Sequence, residues 1–231
     1  MTAMNTSPRE SAIHAARAFA RAEGEAVLDI VDQLDESFDR VASLVLRASG
    51  KIVVTGAGTS GFIARRSAHL LSVSGTPAYF LHPTDALHGS MGSLRPGDVV
   101  IALSKGGNSG EVNSLVERVQ AEGIPVVALT CVADAPLARL ADIPIVLRPF
   151  PDADPGGLIA MGSTLSHSAW LDALAVVLMR VRGYSWESVH YTHPGGAVGM
   201  ATSLPTPLGP VELSDAGAVE VAGAEAFGGE E

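Results

Sequence analysis

The stretch Val53-Val-Thr-Gly-Ala-Gly-Thr-Ser-Gly-Phe62 contains three kinds of signal within ten residues. A β-branched run enters it, glycines at 56, 58 and 61 turn the chain, and an apolar-periodic segment follows. That order, strand to glycine turn to helix, is the opening of a parallel α/β unit. The spacing is also a literal G-x-G-x-x-G, the fingerprint of a dinucleotide-binding turn. Thr59 and Ser60 add two adjacent hydroxyls. The turn therefore poses a choice between a nicotinamide cofactor and a smaller phosphorylated ligand.

The rest of the chain repeats the unit. The runs KIVVT, PAYFL, DVVIALS, PVVALT and IPIVL are short and almost continuously apolar, as expected of parallel strands covered on both faces. Helical periodicity fills most of the gaps, over 60–73, 109–122 and 164–182, with a short helical turn at 136–140. Val112, Leu115, Val116 and Val119 make the clearest stripe. The prediction is a doubly wound five-stranded parallel sheet flanked by helices. Residues 9–48 read as a long N-terminal helical segment, with Gly24 as a candidate break. The predicted organisation is a helical segment over 1–48, a ligand-binding domain over 49–200 and an acidic tail over 201–231. The tail is rich in Gly, Ala, Pro and Glu and reads as disordered.

Composition narrows the function. The chain has 231 residues and a formal net charge of -10, which argues against nucleic acid as a partner. The run Ala173–Met179, closed by Asp172 and Arg180, falls far short of the ~20 residues that span a bilayer, so no membrane partner is expected. One cysteine, Cys131, allows neither an internal disulfide nor a cysteine-based metal cluster. Together with the lack of a signal-peptide pattern at the N-terminus, this suggests a cytoplasmic protein. His82, His88 and His193 make a zinc site conceivable, but no helical H-x-x-x-H supports it, and no metal is expected. His14, His69, His167 and His190 read as structural.

In a doubly wound sheet, ligands bind beyond the carboxyl ends of the strands. The first strand ends in GAGTSG and the third in SKGGNSGE, Ser104 to Glu111. Both are glycine-rich turns entering helices, where free N–H groups and the helix dipole favour an anion. Ser60, Ser104 and Ser109 add hydroxyl donors, and Gly58 and Thr59 border the first turn. Lys105, one of two lysines, could neutralise a phosphate. A dinucleotide site would want an acid near the end of the second strand to hold the ribose. That strand ends in Tyr-Phe-Leu-His82-Pro83, and the nearest acid, Asp85, lies beyond the proline. The phosphate reading is therefore preferred to the nicotinamide one. Glu111 also fits a capping box with Asn108 as N-cap, so capping and catalysis both stand for it. His88, after the second strand, and His193, before a Pro-Gly-Gly turn, suit proton transfer.

These segments resemble the sugar isomerase (SIS) domain family, and more narrowly its arabinose 5-phosphate isomerase branch. The resemblance rests on GAGTSG, GTPAYFLHPTDALHG, GDVVIALSKGGNSGEV, IPVVALT, LARLADIPI, DALAVVLMRVRGYS and THPGGAVG, in the family's order, over about residues 29–199. It implies an aldose–ketose sugar-phosphate isomerase, an intramolecular oxidoreductase without a redox cofactor. It also implies a homotetramer with sites at subunit contacts, and a stand-alone protein lacking the CBS modules of longer members. By the resemblance, phosphate-binding positions fall on Ser60, Ser104 and Ser109, and catalytic positions on His88, Glu111, His193 and Asp152. Three departures bear on the substrate. Thr59 stands where the family has lysine, Gly106 replaces the second serine of S-x-S-G-x-S, and Asp152 replaces a glutamate. Lys105 could restore the charge missing at Thr59. A competing reading is a non-catalytic phosphosugar sensor, since SIS domains also serve in regulators.

Overall fold

Five strands form one parallel sheet in the order β2-β1-β3-β4-β5. They are β1 Ile52–Gly56, β2 Ala78–Phe80, β3 Val99–Leu103, β4 Val126–Thr130 and β5 Ile143–Val146. Burial follows position in that order. Every residue of β1, β3 and β4 is buried, whereas β2 is half-buried and β5 alternates between buried and exposed. Three of the five apolar runs thus became central strands covered on both faces, as expected; PAYFL and IPIVL became edge strands and are less buried than that expectation. The computed structural model describes residues 10–214.

The helices are α1 Ala12–Leu28, α2 Glu36–Arg47, α3 Gly58–Val73, α4 Pro83–Leu87, α5 Gly110–Ala121, α6 Pro136–Leu140, α7 Gly162–Val181, α8 Trp186–Thr192 and α9 Gly196–Gly199. Alternate strand residues feed two separate cores. Ile52, Val54, Ile101, Leu103, Val127 and Leu129 pack with α2, α3 and α7 on one face. Val53, Val100, Ala102, Val126 and Ala128 pack with α5 and Leu137 of α6 on the other. The period of two along each strand is what divides the core into these layers. Trp170 of α7 is fully buried and meets Phe38 of α2 edge to face, with ring centroids 5.2 Å apart.

The N-terminal segment breaks at a different place from the one predicted. Gly24 lies inside α1, and the helix gives way to a 3₁₀ turn over Asp29–Gln33. Leu34 is extended, and Asp35 then caps α2 by accepting from the Ser37 N–H at 2.8 Å. A mid-helix glycine costs only about 1 kcal/mol. The turn and the Asp35 cap, which satisfies an N-terminal donor of α2, set the break instead.

The tail also departs from expectation. Residues 201–214 contain no helix or strand, yet they are tied to the domain. The Arg180 Nε donates to the Gly209 carbonyl at 2.7 Å and the Trp186 indole to the Thr206 carbonyl at 3.0 Å. The Ser214 N–H donates to Asp39 at 3.1 Å, and Leu213 packs against the core. Composition alone suggested disorder from 201; these long-range contacts hold the segment as far as Ser214. The remainder of the predicted tail, 215–231, lies outside the described residues.

Candidate functional site

The two glycine turns stand level because the strands that deliver them are in register. β1 pairs with β3 residue for residue, and the last pair is Gly56 with Leu103. Beyond it the first turn enters α3 and the third-strand turn enters α5. Gly61 lets α3 start hard against β1, since a Cβ there would lie 2.7 Å from the Gly56 carbonyl oxygen. Gly107 has φ +64°, and a Cβ there would meet the Ala135 methyl at 2.4 Å. Both glycines serve geometry as well as any ligand.

Neither helix has a capping side chain. The N-caps are Ala57 for α3 and Ser109 for α5, and neither side chain accepts a hydrogen bond from the first turn. The leading N–H groups of both helices therefore lack the side-chain partners that usually satisfy them. Three hydroxyls accompany them. Ser60 and Ser104 are buried, at 8% and 5% exposure. Ser104 Oγ lies 3.1 Å from Ser109 Oγ and accepts the Gly107 N–H at 3.2 Å. The Ser60 hydroxyl has no hydrogen-bond partner among the described residues. Gly58 and Thr59 are exposed on the first turn of α3. Spare N–H groups and hydroxyls at two level strand ends form a polar cradle of the kind that can hold an anion, with no cation of its own in the first turn.

Lys105 is engaged elsewhere. Its ammonium lies 2.7 Å from Asp154 Oδ2 and donates to the Gly157 carbonyl at 2.9 Å. The cation that the sequence offered as a phosphate counter-ion is here ion-paired with a buried carboxylate. Asp154, which sequence reasoning passed over, also accepts from the Met161 and Ser163 N–H groups, at 2.8 and 3.1 Å. Burial alone would raise its pKa; Lys105 and those N–H groups outweigh burial and hold the carboxyl below its ordinary value. The sequence signal was there in Asp-Ala-Asp-Pro-Gly-Gly, two acids before a tight turn, but it does not say which acid turns inward. Asp152 is exposed on a 3₁₀ turn, Pro151–Ala153.

Glu111 does not form the expected capping box. The helix starts one residue later than that motif requires, so Ser109 is the N-cap and Glu111 falls in the second helical position. Asn108 instead donates to the Gly106 carbonyl at 2.8 Å. Glu111 is half-buried, and its carboxylate has no hydrogen-bond partner among the described residues. α4 packs against α5, and the exposed His88 caps α4 at its C-terminus. His193 ends α8, and its Nδ1 lies 2.8 Å from the Val189 carbonyl. A carbonyl can only accept, so Nδ1 carries the proton and neutral His193 keeps its lone pair on Nε2. α8 has no buried residues and packs on α9. No hydrogen bond joins His193 to either glycine turn among the described residues. One chain brings Ser60, Ser104, Ser109 and Glu111 to the turns and helix starts that follow β1 and β3, and leaves His193 at the end of α8, a helix without buried residues.

Beneath the site lie two further titratable groups. His167 is fully buried in α7, with Nε2 3.8 Å from Cys131 Sγ. Burial lowers the imidazole to about 4 and raises the thiol to about 11. Both are neutral near pH 7; His167 is fully buried and Cys131 partly so. No group of three or more His, Cys, Asp or Glu side chains suited to a metal ion occurs among the described residues. Nor is any helix among them long and apolar enough to cross a membrane.

The SIS domain family matches residues 45–177. The chain belongs to the SIS domain family. Among curated relatives, arabinose 5-phosphate isomerase KdsD of Pseudomonas aeruginosa is 34% identical over 196 residues, covering 85% of this chain and 60% of the relative. KdsD of Escherichia coli K12 is 35% identical over 177 residues, covering 77% of this chain and 54% of the relative. The chain thus spans between about half and three fifths of the length of these curated relatives. Among solved structures, E. coli CFT073 c3406 in complex with arabinose 5-phosphate superposes with TM-score 0.76 at 28% identity, covering 79% of this chain and 97% of that one. A sugar-phosphate isomerase candidate from Listeria monocytogenes superposes with TM-score 0.73 at 32% identity, covering 81% of this chain and all of the other. SIS domain membership agrees with the five-stranded parallel sheet flanked by helices.

Proposed function

We propose that this SIS protein is a sugar-phosphate aldose–ketose isomerase working through an enediol intermediate, acting on a pentose 5-phosphate or a close analogue. The observation that carries the reading is the cradle: two helix N-termini without side-chain caps, on register-paired strands, with Ser60, Ser104 and Ser109 beside them. Such a cradle suits a phosphate monoester, and the curated relatives are named arabinose 5-phosphate isomerases.

The chemistry needs the sugar ring opened and a proton moved between adjacent carbons by one base, with the oxygen charge held by a polar group. His193 meets the requirement for a base, because Nδ1–H is fixed to Val189 and Nε2 is left to accept. Glu111 lies on the first turn of α5, next to the cradle, where an unpartnered carboxylate can share the proton transfer. His88 would open the ring or protonate oxygen, and Asp152 would orient the reacting end. No cofactor enters the scheme. α8 has no buried residues and Tyr191 on it is 85% exposed, which supports a site completed by a neighbouring subunit; the assembly in this reading is a cytoplasmic homotetramer.

The test is to incubate the protein with tetrose, pentose and hexose phosphates in deuterated water and follow C1 and C2 hydrogens by NMR. Exchange with at least one sugar phosphate, lost in His193→Asn and Glu111→Gln, is the expected result. Tight binding without exchange across the panel would replace the isomerase with a phosphosugar sensor.

A further inference from the structure

We propose that Lys105 and Asp154 form a latch that holds the segment 151–161, and with it Asp152, against the third-strand turn. The catalytic part of this inference rests on the isomerase reading; the mechanical part does not.

The two ends of the latch are anchored very differently from the stretch between them. On the sheet side, the Lys105 carbonyl accepts the Cys131 N–H at 2.8 Å and the Thr130 hydroxyl at 3.0 Å. Lys105 is thus fixed to the end of β4, one residue beyond Ser104. On the helix side, Asp154 accepts from Met161 and Ser163 at the start of α7, which has no capping side chain at Met161 itself. Asp154 therefore acts as a cap from seven residues upstream. Between them runs a segment without strand or α-helix. Gly156 and Gly157 both have positive φ, 64° and 67°, and Leu158 is 88% exposed. Such a stretch has little burial of its own to order it. The Lys105 ammonium crosses to this segment twice, to the Asp154 carboxylate and to the Gly157 carbonyl.

The pair is also hard to replace with water. The Asp154 side chain is 2% exposed and that of Lys105 is 23% exposed. A carboxylate at that depth depends on its partner, because an unpaired buried charge is strongly destabilising. Lys105 is therefore a poor candidate for leaving Asp154 to follow a phosphate. Its contribution is to place a neighbour: Asp152 is two residues from Asp154, and Ser104 is adjacent to Lys105. The ion pair thus joins the segment bearing a proposed catalytic carboxylate to the turn bearing the proposed phosphate hydroxyls. Lys105 and Asp154 are positioning residues.

The experiment compares Lys105→Met, Asp154→Asn and the double variant by amide hydrogen exchange and by kinetics. Exchange over 156–161 should rise at least tenfold in each single variant, alike, with no further rise in the double. Protection in β1, β3 and α5 should stay as in the parent, which reports that the fold is intact. Lys105→Arg, which keeps the charge, should keep the parent's protection. If Asp154→Asn fails to fold, Lys105→Met against Lys105→Arg makes the same comparison. With a sugar phosphate the parent converts, kcat should fall about tenfold or more in both single variants while KM stays within about threefold. Unchanged exchange in Lys105→Met overturns the latch. So does a tenfold rise in KM for Lys105→Met with KM unchanged for Asp154→Asn, since that pattern marks a phosphate ligand. If the parent converts no sugar phosphate, the exchange comparison still decides the latch, and only the isomerase reading falls.

Discussion

Ser104 and Ser109 face each other across the third-strand turn with their hydroxyl oxygens 3.1 Å apart. The contact closes the turn, and Ser104 also accepts the Gly107 N–H. A bound phosphate would take donors from both hydroxyls, exchanging one neutral contact for two charge-assisted ones. Hydrogen bonds to charged groups contribute about 1.5–3 kcal/mol. Ser109→Ala should therefore raise KM roughly 10- to 100-fold at about 1.4 kcal/mol per factor of ten. Ser104→Ala should cost more than Ser109→Ala, because the Gly107 N–H loses its acceptor as well. Steady-state kinetics, with calorimetric binding of the sugar phosphate, check the order.

Gly106 is open where its neighbour is closed. A Cβ at Gly106 meets nothing within 4 Å, whereas at Gly107 it would strike Ala135. Gly106→Ser should thus fold normally and add a third hydroxyl to the turn, lowering KM for a pentose phosphate by about threefold to tenfold if one hydrogen bond of ~1 kcal/mol forms. Gly107→Ala should lose stability instead, through both strain at positive φ and the clash. Thermal melts separate the two, and KM for Gly106→Ser unchanged from the parent would show that the missing serine is not a phosphate donor.

What could be read in the sequence followed from burial on both faces. The central strands announced themselves as continuous apolar runs because helices cover them above and below, and both glycine turns followed from their places at strand ends. The break after α1 was not legible, because it depends on the Asp35 cap and a 3₁₀ turn rather than on Gly24. Lys105 looked like a free cation because its partner lies 49 residues away in the chain, and no periodicity links the two. Glu111 was one residue out of register for the box its motif suggested. Ser60, Ser104 and Ser109 stand on the turns that follow β1 and β3, where the strand pattern puts them; their roles rest on the proposals above.

The segment 203–214 should stabilise the domain measurably. It contributes the Gly209, Thr206 and Ser214 contacts to α7, α8 and α2, and it packs Leu213 on the core. Exposed hydrogen bonds give about 0.5–1.5 kcal/mol each, and partial burial of one leucine adds roughly 1 kcal/mol. A chain ending at residue 202 should melt about 5–20 °C below one ending at Ser214, at roughly 2–4 °C per kcal/mol for a domain of this size. Trp186→Phe, which removes a single donor, should account for only a few degrees. Equal melting of the two truncated chains would show that these contacts do not persist in solution.

His167 should make the protein acid-sensitive well above the carboxylate range. Burial holds its pKa at about 4, against 6.5 for a free imidazole. Between those values the folded imidazole is neutral while the unfolded one is protonated. The unfolded state binds more protons there, so stability rises with pH. The contribution is fully present above about 6.5 and is lost as pH falls toward 4. A shift of this size corresponds to roughly 3 kcal/mol. Asp154 and Asp98 are also shifted downward, but for the opposite reason: burial opposes the shift and their hydrogen-bond donors outweigh it. Their stabilisation is present above the unfolded carboxylate value and disappears only at lower pH, so the window from 6.5 to 4.5 isolates the histidine. Urea unfolding across that window should show a falling midpoint for the parent and a much flatter one for His167→Gln, whatever its absolute stability. An equal slope in both proteins would mean that His167 takes up its proton without leaving the core.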